Sequence, residues 1–245
     1  MLQALEPLGD DRGLPGYIAD HLAAAIIEGR VTEGAKLNEV ELAEAFATSR
    51  TPVREALRIL ARDGFVVITP RRGAHVVTFT AEWTAQVYLC RAYLQGLAAK
   101  LAIRRLTGAD LARFDVLLAE MDEGARTGDS RRGYLATIEW HATLAGRADN
   151  PIVEQLISSV GVNIQRLRYM AASVPGGIRR SARRHRQLLR ALRAQDGDLA
   201  ESIVRVTVAE AGQALLVDQF GLSPATLREP PYNLVELVES LRHGV

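Results

Sequence analysis

One stretch constrains the fold of this chain more than any other: residues 37–65, with the sequence LNEVELAEAFATSRTPVREALRILARDGF. It predicts two short helices joined by a three-residue turn. The first helix covers residues 39–46, and its apolar residues available for burial are Val40, Leu42, Ala43 and Phe46. The second covers residues 51–63, because Thr51 can cap a helix and Pro52 then takes the first helical position, where its missing N–H costs nothing.

The second helix of this pair has one apolar face and a row of basic residues. Its apolar residues follow the i, i+3, i+4, i+7, i+8 spacing of a helix that buries one side: Val53, Ala56, Leu57, Leu60 and Ala61. The row consists of Arg50, Arg54, Arg58 and Arg62. A DNA-reading helix needs a packed back and hydrogen-bond donors on its first turns. The candidate donors are Ser49, Arg50, Thr51 and Arg54. Taken alone, the pattern also fits an amphipathic helix with a solvated arginine face.

The residues after Gly64 predict a β-hairpin with a basic tip. Two β-prone runs, FVVIT and AHVVT, flank the turn sequence PRRG. A hairpin directly after a helix-turn-helix is the wing of a winged helix. Between residues 50 and 72 there are six arginines against two acidic residues, whereas residues 1–80 have nine Lys+Arg against eleven Asp+Glu. Because the net charge of the chain is only +1, any affinity for DNA must come from this local concentration of positive charge.

These motifs, ELAEAFATSRTPVREAL followed by DGFVVITPRRGAHV, resemble the DNA-binding domain of the GntR family of bacterial transcription regulators. The resemblance implies a winged helix-turn-helix that binds operator DNA. It implies that the contacts to DNA are made by Ser49, Arg50, Thr51 and Arg54, and by the wing tip at Arg72 and Gly73. Val40 stands where some members of the family have an arginine, so we do not expect that contact here.

Length and composition favour a cytoplasmic protein of one large or two modest domains. The chain has 245 residues, of which 48% are hydrophobic. Cys90 is the single cysteine, which excludes an intrachain disulfide framework. The N-terminal sequence lacks the basic start and apolar core of a signal peptide, and no apolar run approaches the length of a membrane span. We therefore expect no membrane partner.

From residue 81 onward the chain predicts consecutive helices with short connections. The predicted helices cover residues 81–105, 108–126, 131–147, 150–173, 178–195 and 197–220. Such a succession predicts an antiparallel helical bundle. The expected fold is mainly α, with a winged helix-turn-helix (three helices plus a small β-hairpin) at residues 1–79 and an all-helical effector-binding and dimerisation domain at 80–245. We expect the proline-rich segment 223–233 to be extended and residues 234–241 to form a last short helix.

Four of the predicted bundle helices place a polar residue on a stripe that is otherwise apolar. These residues are Arg91, His141, Asn163 and His185. Each has a purely structural interpretation, since a histidine on such a stripe is often a satisfied core residue and an inward arginine is often part of an ion pair. Several unpaired polar groups in one core would each cost about 1–3 kcal/mol, so their convergence favours a polar cavity.

The bundle resembles the ligand-binding domain called FCD, found in FadR-like members of the same family. The resemblance implies a divalent metal held by an aspartate and three histidines, with a carboxylate effector completing its shell. His141 and His185 stand at the first two histidine places, but Thr137 and Thr207 stand where the aspartate and the last histidine would be. Glu210, one turn after Thr207, is the candidate replacement ligand. Because two imidazoles leave a metal short of protein ligands, we expect binding of zinc, nickel or manganese to be weak or absent.

The expected effector is therefore a small organic anion, bound mainly through a buried guanidinium. Its expected contacts are Arg91, Thr137, His141, Asn163, His185 and Thr207. The helix predicted at 178–195 also has seven arginines with no acid between them: Arg179, Arg180, Arg183, Arg184, Arg186, Arg190 and Arg193. This run fits either a second nucleic-acid surface or the solvated outside of the helix, and the second is favoured because the arginines avoid the inner stripe.

Three functions remain open from the sequence. The first is a transcription regulator controlled by an anionic metabolite, acting as a homodimer on palindromic double-stranded operator DNA. The second is a constitutive DNA-binding regulator with a degenerate pocket. The third is a metal-assisted all-α enzyme that uses His141 and His185. An enzyme has no need of an arginine-bearing helix and a wing, and no nucleophile motif or phosphate loop supports one, so we expect the first.

Overall fold

The computed structural model describes residues 13–161, 165–223, 225–230, 232 and 234. The chain divides between Phe79 and Thr80 into two compact units. The first contains α1 Gly13–Ile27, β1 Lys36–Leu37, α2 Glu39–Ala45, α3 Arg50–Arg62, β2 Val66–Thr69 and β3 Gly73–Val76. The second contains α4 Ala81–Ala102, α5 Gly108–Thr127, α6 Ser130–Arg147, α7 Pro151–Gly161, α8 Gln165–Ser173, α9 Gly177–Arg193, α10 Gly197–Phe220 and a 3₁₀ helix Thr226–Arg228.

In the first unit, α1, α3 and the sheet share one core. The apolar face predicted for α3 is buried through Val53, Ala56, Leu57 and Leu60. The strands form an antiparallel sheet in the order β1-β3-β2. The pairing of β2 with β3, from Val66 opposite Val76 to Thr69 opposite Gly73, confirms the predicted hairpin. The pairing of β1 with β3 was not predicted, because a strand of two residues is too short to show alternation.

Two details of the helix-turn-helix differ from the prediction. The N-cap residue of α3 is Ser49 rather than Thr51, and the helix begins at Arg50. Pro52 therefore takes the third helical position, where its missing N–H still costs nothing, because the first four N–H groups of a helix have no partner within it. The second difference is in α2, where Val40 is 46% exposed instead of buried, since a helix of two turns buries only one side.

In the second unit, α4 packs against α10. Their close approach depends on Gly212, where an added Cβ would lie 2.7 Å from the ring of the buried Tyr88. Phe114 of α5 stacks on Trp140 of α6 with ring centroids 4.2 Å apart, and both side chains are fully buried. The Thr80 side chain caps the start of α4. These contacts form the interior on which the polar residues of the bundle converge.

Most predicted bundle helices agree with observed ones, with differences at their ends and in the tail. The span predicted at 150–173 contains α7 and α8, and residues 162–164 lie outside the described part of the chain. Where an extended segment was predicted, Thr226–Arg228 form a 3₁₀ turn, because the Ser223 hydroxyl accepts a hydrogen bond from the Thr226 N–H at 3.1 Å. Apart from residue 234, the predicted last helix falls on residues that are not described. Within the described ranges, no helix combines the length and apolarity that a membrane span requires.

Candidate functional site

The candidate DNA-contacting residues lie on the exposed start of α3. Ser49, Arg50, Thr51 and Arg54 are all exposed. Ser49 makes no side-chain cap bond, so within the described structure its hydroxyl is not used by the helix it precedes. The first N–H groups of α3 are therefore also left without a side-chain partner, which favours a phosphate at this end.

Glu39 of α2 holds both arginines of this surface. Arg54 donates to its carboxylate through Nη2 at 2.7 Å and Nε at 3.1 Å, and Arg50 donates through Nη2 at 3.2 Å. The hydrogen bond from Arg54 lowers the pKa of the Glu39 carboxyl and correspondingly raises the pKa of Arg54. Sequence reasoning missed Glu39, because its contact with Arg54 spans fifteen positions and follows no helical period.

The wing tip is a tight turn with both arginines exposed. The Arg72 N–H donates to the Thr69 carbonyl at 3.1 Å, which closes the turn around Pro70 and Arg71. Arg71 takes a left-handed backbone conformation with φ of 64°, and Gly73 follows with φ of 87°. A non-glycine residue in this conformation is uncommon, so the turn holds an arginine at the tip against its backbone preference.

Five of the six predicted effector contacts line a single cavity of about 70 Å³ inside the second unit. These five are Arg91, Thr137, His141, His185 and Thr207. The sixth, Asn163, lies outside the described residues. The cavity is also lined by three polar residues that the sequence analysis did not select, namely Tyr88, Arg168 and Ser181.

The two histidines meet edge to face, with ring centroids 5.3 Å apart. His185 Nδ1 lies 2.8 Å from the Ser181 carbonyl oxygen and therefore donates to it, which fixes the neutral tautomer with a bare Nε2. That Nε2 is buried and has no partner among the described residues. Burial lowers the pKa of His185 to about 4. Burial, together with the nearby His185 and Arg168, lowers the pKa of His141 well below its usual 6.5.

Two guanidinium groups reach the cavity from different helices. Arg91 on α4 is 7% exposed, lies over the Tyr88 ring at 4.7 Å, and its Nε has no hydrogen-bond partner among the described residues. Arg168 on α8 has its pKa lowered to about 10, first by burial and then by the charge of Arg91. The described residues that line the cavity include no Asp or Glu. The cavity is therefore strongly cationic, and the histidines beside it are neutral.

The two threonines face the cavity as hydrogen-bond acceptors. Thr137 donates its hydroxyl proton to the Tyr134 carbonyl at 2.7 Å, and Thr207 donates to the Ile203 carbonyl at 2.7 Å. Because each proton is used on the residue's own helix, only the oxygen lone pairs remain for a ligand.

These donors do not fit the divalent metal that the FCD resemblance implies. Among the described residues, no group of three His, Cys, Asp or Glu side chains is placed to hold a metal ion. The candidate replacement, Glu210, is occupied by Arg184, whose Nε donates to it at 3.0 Å and whose Nη2 makes a second hydrogen bond. The two histidines are left with neutral threonine oxygens, which are poor ligands for a transition metal.

Three of the seven arginines in the run on α9 join this helix to its neighbours. Arg184 pairs with Glu210 of α10, while Arg186 and Arg193 pair at 2.6 Å with two aspartates of α5. These ion pairs cross between helices on the outside of the bundle, while the inner stripe holds His185. The geometry favours the solvated-face interpretation over a second nucleic-acid surface.

Comparison with known proteins identifies the family. Residues 16–76 match the bacterial regulatory proteins of the gntR family, and residues 86–210, about half of the chain, match the FCD domain. The chain belongs to the GntR family. It is therefore a transcriptional regulator rather than an enzyme, and its fold is the mainly helical winged-helix and bundle architecture predicted from the sequence.

Individual relatives of this GntR regulator are also transcriptional regulators. The Nta operon transcriptional regulator of Aminobacter aminovorans is 34% identical over 138 residues, which cover 56% of this chain and 63%, less than two thirds, of the relative. A probable D-xylose utilization operon transcriptional repressor of Paenarthrobacter nicotinovorans is 30% identical over 194 residues, covering 78% of this chain and 84% of the relative. The solved structure of E. coli McbR/YncC matches with a TM-score of 0.69 and 25% identity over 85% of this chain and 99% of its own.

Proposed function

We propose that this GntR regulator binds a palindromic operator as a homodimer and that a small anionic metabolite in the bundle cavity controls its affinity for DNA. The observation that supports the control by an anion is the cavity itself. It brings together the guanidiniums of Arg91 and Arg168 with no acidic side chain among its described lining residues. Buried charges in proteins are normally paired, so a cavity with two unpaired cations favours an anionic ligand.

On the DNA side, the exposed residues divide by their chemistry. Ser49 and Thr51 donate to phosphate at the start of α3, and Arg50 binds phosphate beside them. Arg54 reads a base in the major groove, because Glu39 holds its guanidinium in a fixed orientation. The wing contacts the backbone or the minor groove through Arg72 and Gly73.

Exposed apolar side chains on two packed helices of the bundle support the homodimer. Tyr93 and Leu97, one turn apart on α4, are exposed, and so are Ile152 and Leu156, one turn apart on α7. The two helices pack against each other. Ile152 is 65% exposed, which is unfavourable for a large aliphatic side chain that is not covered by a partner. A second copy of this surface would cover it, and two winged helices would then read two half-sites.

The test measures operator binding and its response to metabolites. Operator fragments would be selected from random DNA, and fluorescence anisotropy would then be followed while organic acids, sugars and amino acids are added. We expect an organic acid to shift the dissociation constant of the wild type. Arg91→Gln should bind the operator with unchanged affinity and lose that response, because the substitution removes one of the two cavity cations and leaves the DNA-contacting residues unchanged. If no metabolite shifts binding, or if Arg91→Gln responds normally, the proposed control is wrong and a constitutive regulator is favoured.

A further inference from the structure

The cavity contains two positive charges, and a ligand with a single negative charge would neutralise only one of them. Arg91 approaches from α4 and Arg168 from α8. The charge of Arg91 lowers the pKa of Arg168, and both charges lower the pKa of His141. Neither arginine forms an ion pair with a described acidic residue. A buried and a half-buried guanidinium without counter-ions destabilise the folded protein until something else supplies the negative charge.

The remaining groups around the cavity add no further positive charge. His141 and His185 are neutral because burial lowers the pKa of both. The Tyr88 hydroxyl donates to the Leu167 carbonyl at 3.2 Å, so its proton is also used inside the protein. The two guanidiniums are therefore the only charged donors among the described lining residues, and the number of charges on the ligand is set by them.

The size of the cavity limits the ligand. A water molecule needs about 10–15 Å³ of such space, so a cavity of about 70 Å³ has room for about five to seven water-sized positions. That suits a compact molecule such as a short dicarboxylate or a phosphate group.

We infer that the cavity binds a compact dianion through Arg91 and Arg168, and that this binding needs no divalent metal. The inference rests on the proposed function and makes it more specific, since it assigns the charge of the effector and gives Arg168 a binding role. In this arrangement the second guanidinium supplies the positive charge that a metal ion would otherwise bring to the carboxylate. Each guanidinium can bind one carboxylate, or two oxygens of one phosphate, in a bidentate geometry.

The experiment is isothermal titration of the full chain after treatment with EDTA, at pH 7.5 and constant ionic strength. The probes are malonate and inorganic phosphate as dianions and acetate as a monoanion. We expect saturable binding of at least one dianion, about tenfold or more tighter than acetate, and no gain on adding zinc. Binding of malonate alone would identify a dicarboxylate site, and binding of phosphate alone a phosphate site. Equal binding of acetate, no dianion binding, or a requirement for zinc would each overturn the inference.

Variants separate a binding role of Arg168 from a structural one. Arg168→Gln should lower dianion affinity about tenfold or more, yet raise the melting temperature of the ligand-free protein, because it removes a buried charge next to Arg91. Arg183→Gln, an exposed substitution on α9, should change neither quantity. A lower melting temperature together with unchanged affinity in Arg168→Gln would contradict the binding role. If a monoanion shifts operator binding through Arg91, the proposed function is supported and only the inference that the effector is a dianion is wrong.

Discussion

Arg54 has two properties expected of an arginine that reads a base. Its side chain is exposed, and its guanidinium is held by a carboxylate on the neighbouring helix. Substitution with alanine should weaken operator binding about ten- to hundredfold, which is typical of losing one bidentate contact to a base. Fluorescence anisotropy with operator and scrambled DNA measures this. Arg58→Ala is the matched control, since Arg58 lies one turn further along α3 and pairs with Glu55. An equal loss on both DNAs would mean that Arg54 only binds phosphate.

The contact between Glu39 and Arg54 leads to a second prediction, in which the affinity for random DNA rises while the preference for the operator falls. Glu39→Gln removes a negative charge near the DNA, so affinity for random DNA should rise. The same change loosens Arg54, so the preference for the operator over random DNA should fall several-fold. Glu44→Gln on the exposed side of α2 removes the same charge away from Arg54 and should raise both affinities together. If Glu39→Gln raises both affinities together, as the control does, Glu39 does not orient Arg54.

Among individual site residues, the sequence predicts those that interrupt a helical apolar stripe and misses those whose role depends on contacts with other helices. Arg91 and His185 were found because each interrupts an apolar stripe, and both are buried in the structure. Arg168 directly follows the fully buried Leu167, about 100° away around the helix, so no stripe marks it as facing a cavity. Glu39 has its role only through a contact with another helix. Long-range contacts of this kind depend on packing, which a local pattern does not contain.

At the scale of helices and strands, close packing of α4 and α10 around Gly212 gives a prediction about stability. Gly→Ala in a helix normally stabilises by up to about 1 kcal/mol. At Gly212 the new methyl would lie 2.7 Å from the Tyr88 ring, so Gly212→Ala should instead destabilise by about 1–3 kcal/mol. Gly146→Ala on α6 is the control, because nothing lies within 4 Å of an added Cβ there. Denaturant unfolding should show that the free energy of unfolding falls in Gly212→Ala and rises in Gly146→Ala. A stabilising Gly212→Ala would contradict the packing described.

Elements with strong periodicity or clear end signals were predicted well, and short ones were not. α3 and α10 have long apolar stripes, and α10 ends at Gly221, which takes the left-handed conformation of a helix C-cap. By contrast, β1 exists only because β3 offers it an edge, and the start of α3 moved to Arg50 because a helix can extend past a residue able to cap it. The winged helix and its hairpin could thus be predicted from the sequence, while the third strand of its sheet required the tertiary structure.

At the scale of the whole molecule, charge is distributed very unevenly although the total is nearly balanced. The net charge is +1, yet positive charge is concentrated at the start of α3 and inside the cavity. On the outside of the bundle, several arginines are paired with acids, as between Arg186 and Asp122. In the cavity the cations are unpaired within the described structure. Clusters of positive charge therefore lie at the two places where the proposed function requires an anionic partner, DNA in one case and the effector in the other.

The cavity also determines how the stability of the folded protein depends on pH. In the unfolded chain His141 and His185 titrate near 6.5, whereas in the folded protein the pKa of both is lowered, to about 4 for His185. Between pH 6.5 and about 4 the unfolded state therefore binds more protons, and the free energy of unfolding falls as the pH drops. The shift at His185 alone corresponds to about 3 kcal/mol across this window.

Denaturant unfolding of wild type and His185→Gln at pH 7.5, 6 and 5 measures this contribution. Carboxylates such as Glu39, whose pKa is also lowered in the folded state, likewise lower the free energy of unfolding as the pH falls. Their contribution is the same in both proteins. The difference between wild type and variant therefore isolates the histidine, and it should shrink steadily as the pH falls. A bound dianion should reduce the pH dependence of the wild type, because negative charge beside the imidazole raises its pKa. If the two proteins lose stability in parallel, His185 is not the buried neutral group that the cavity requires.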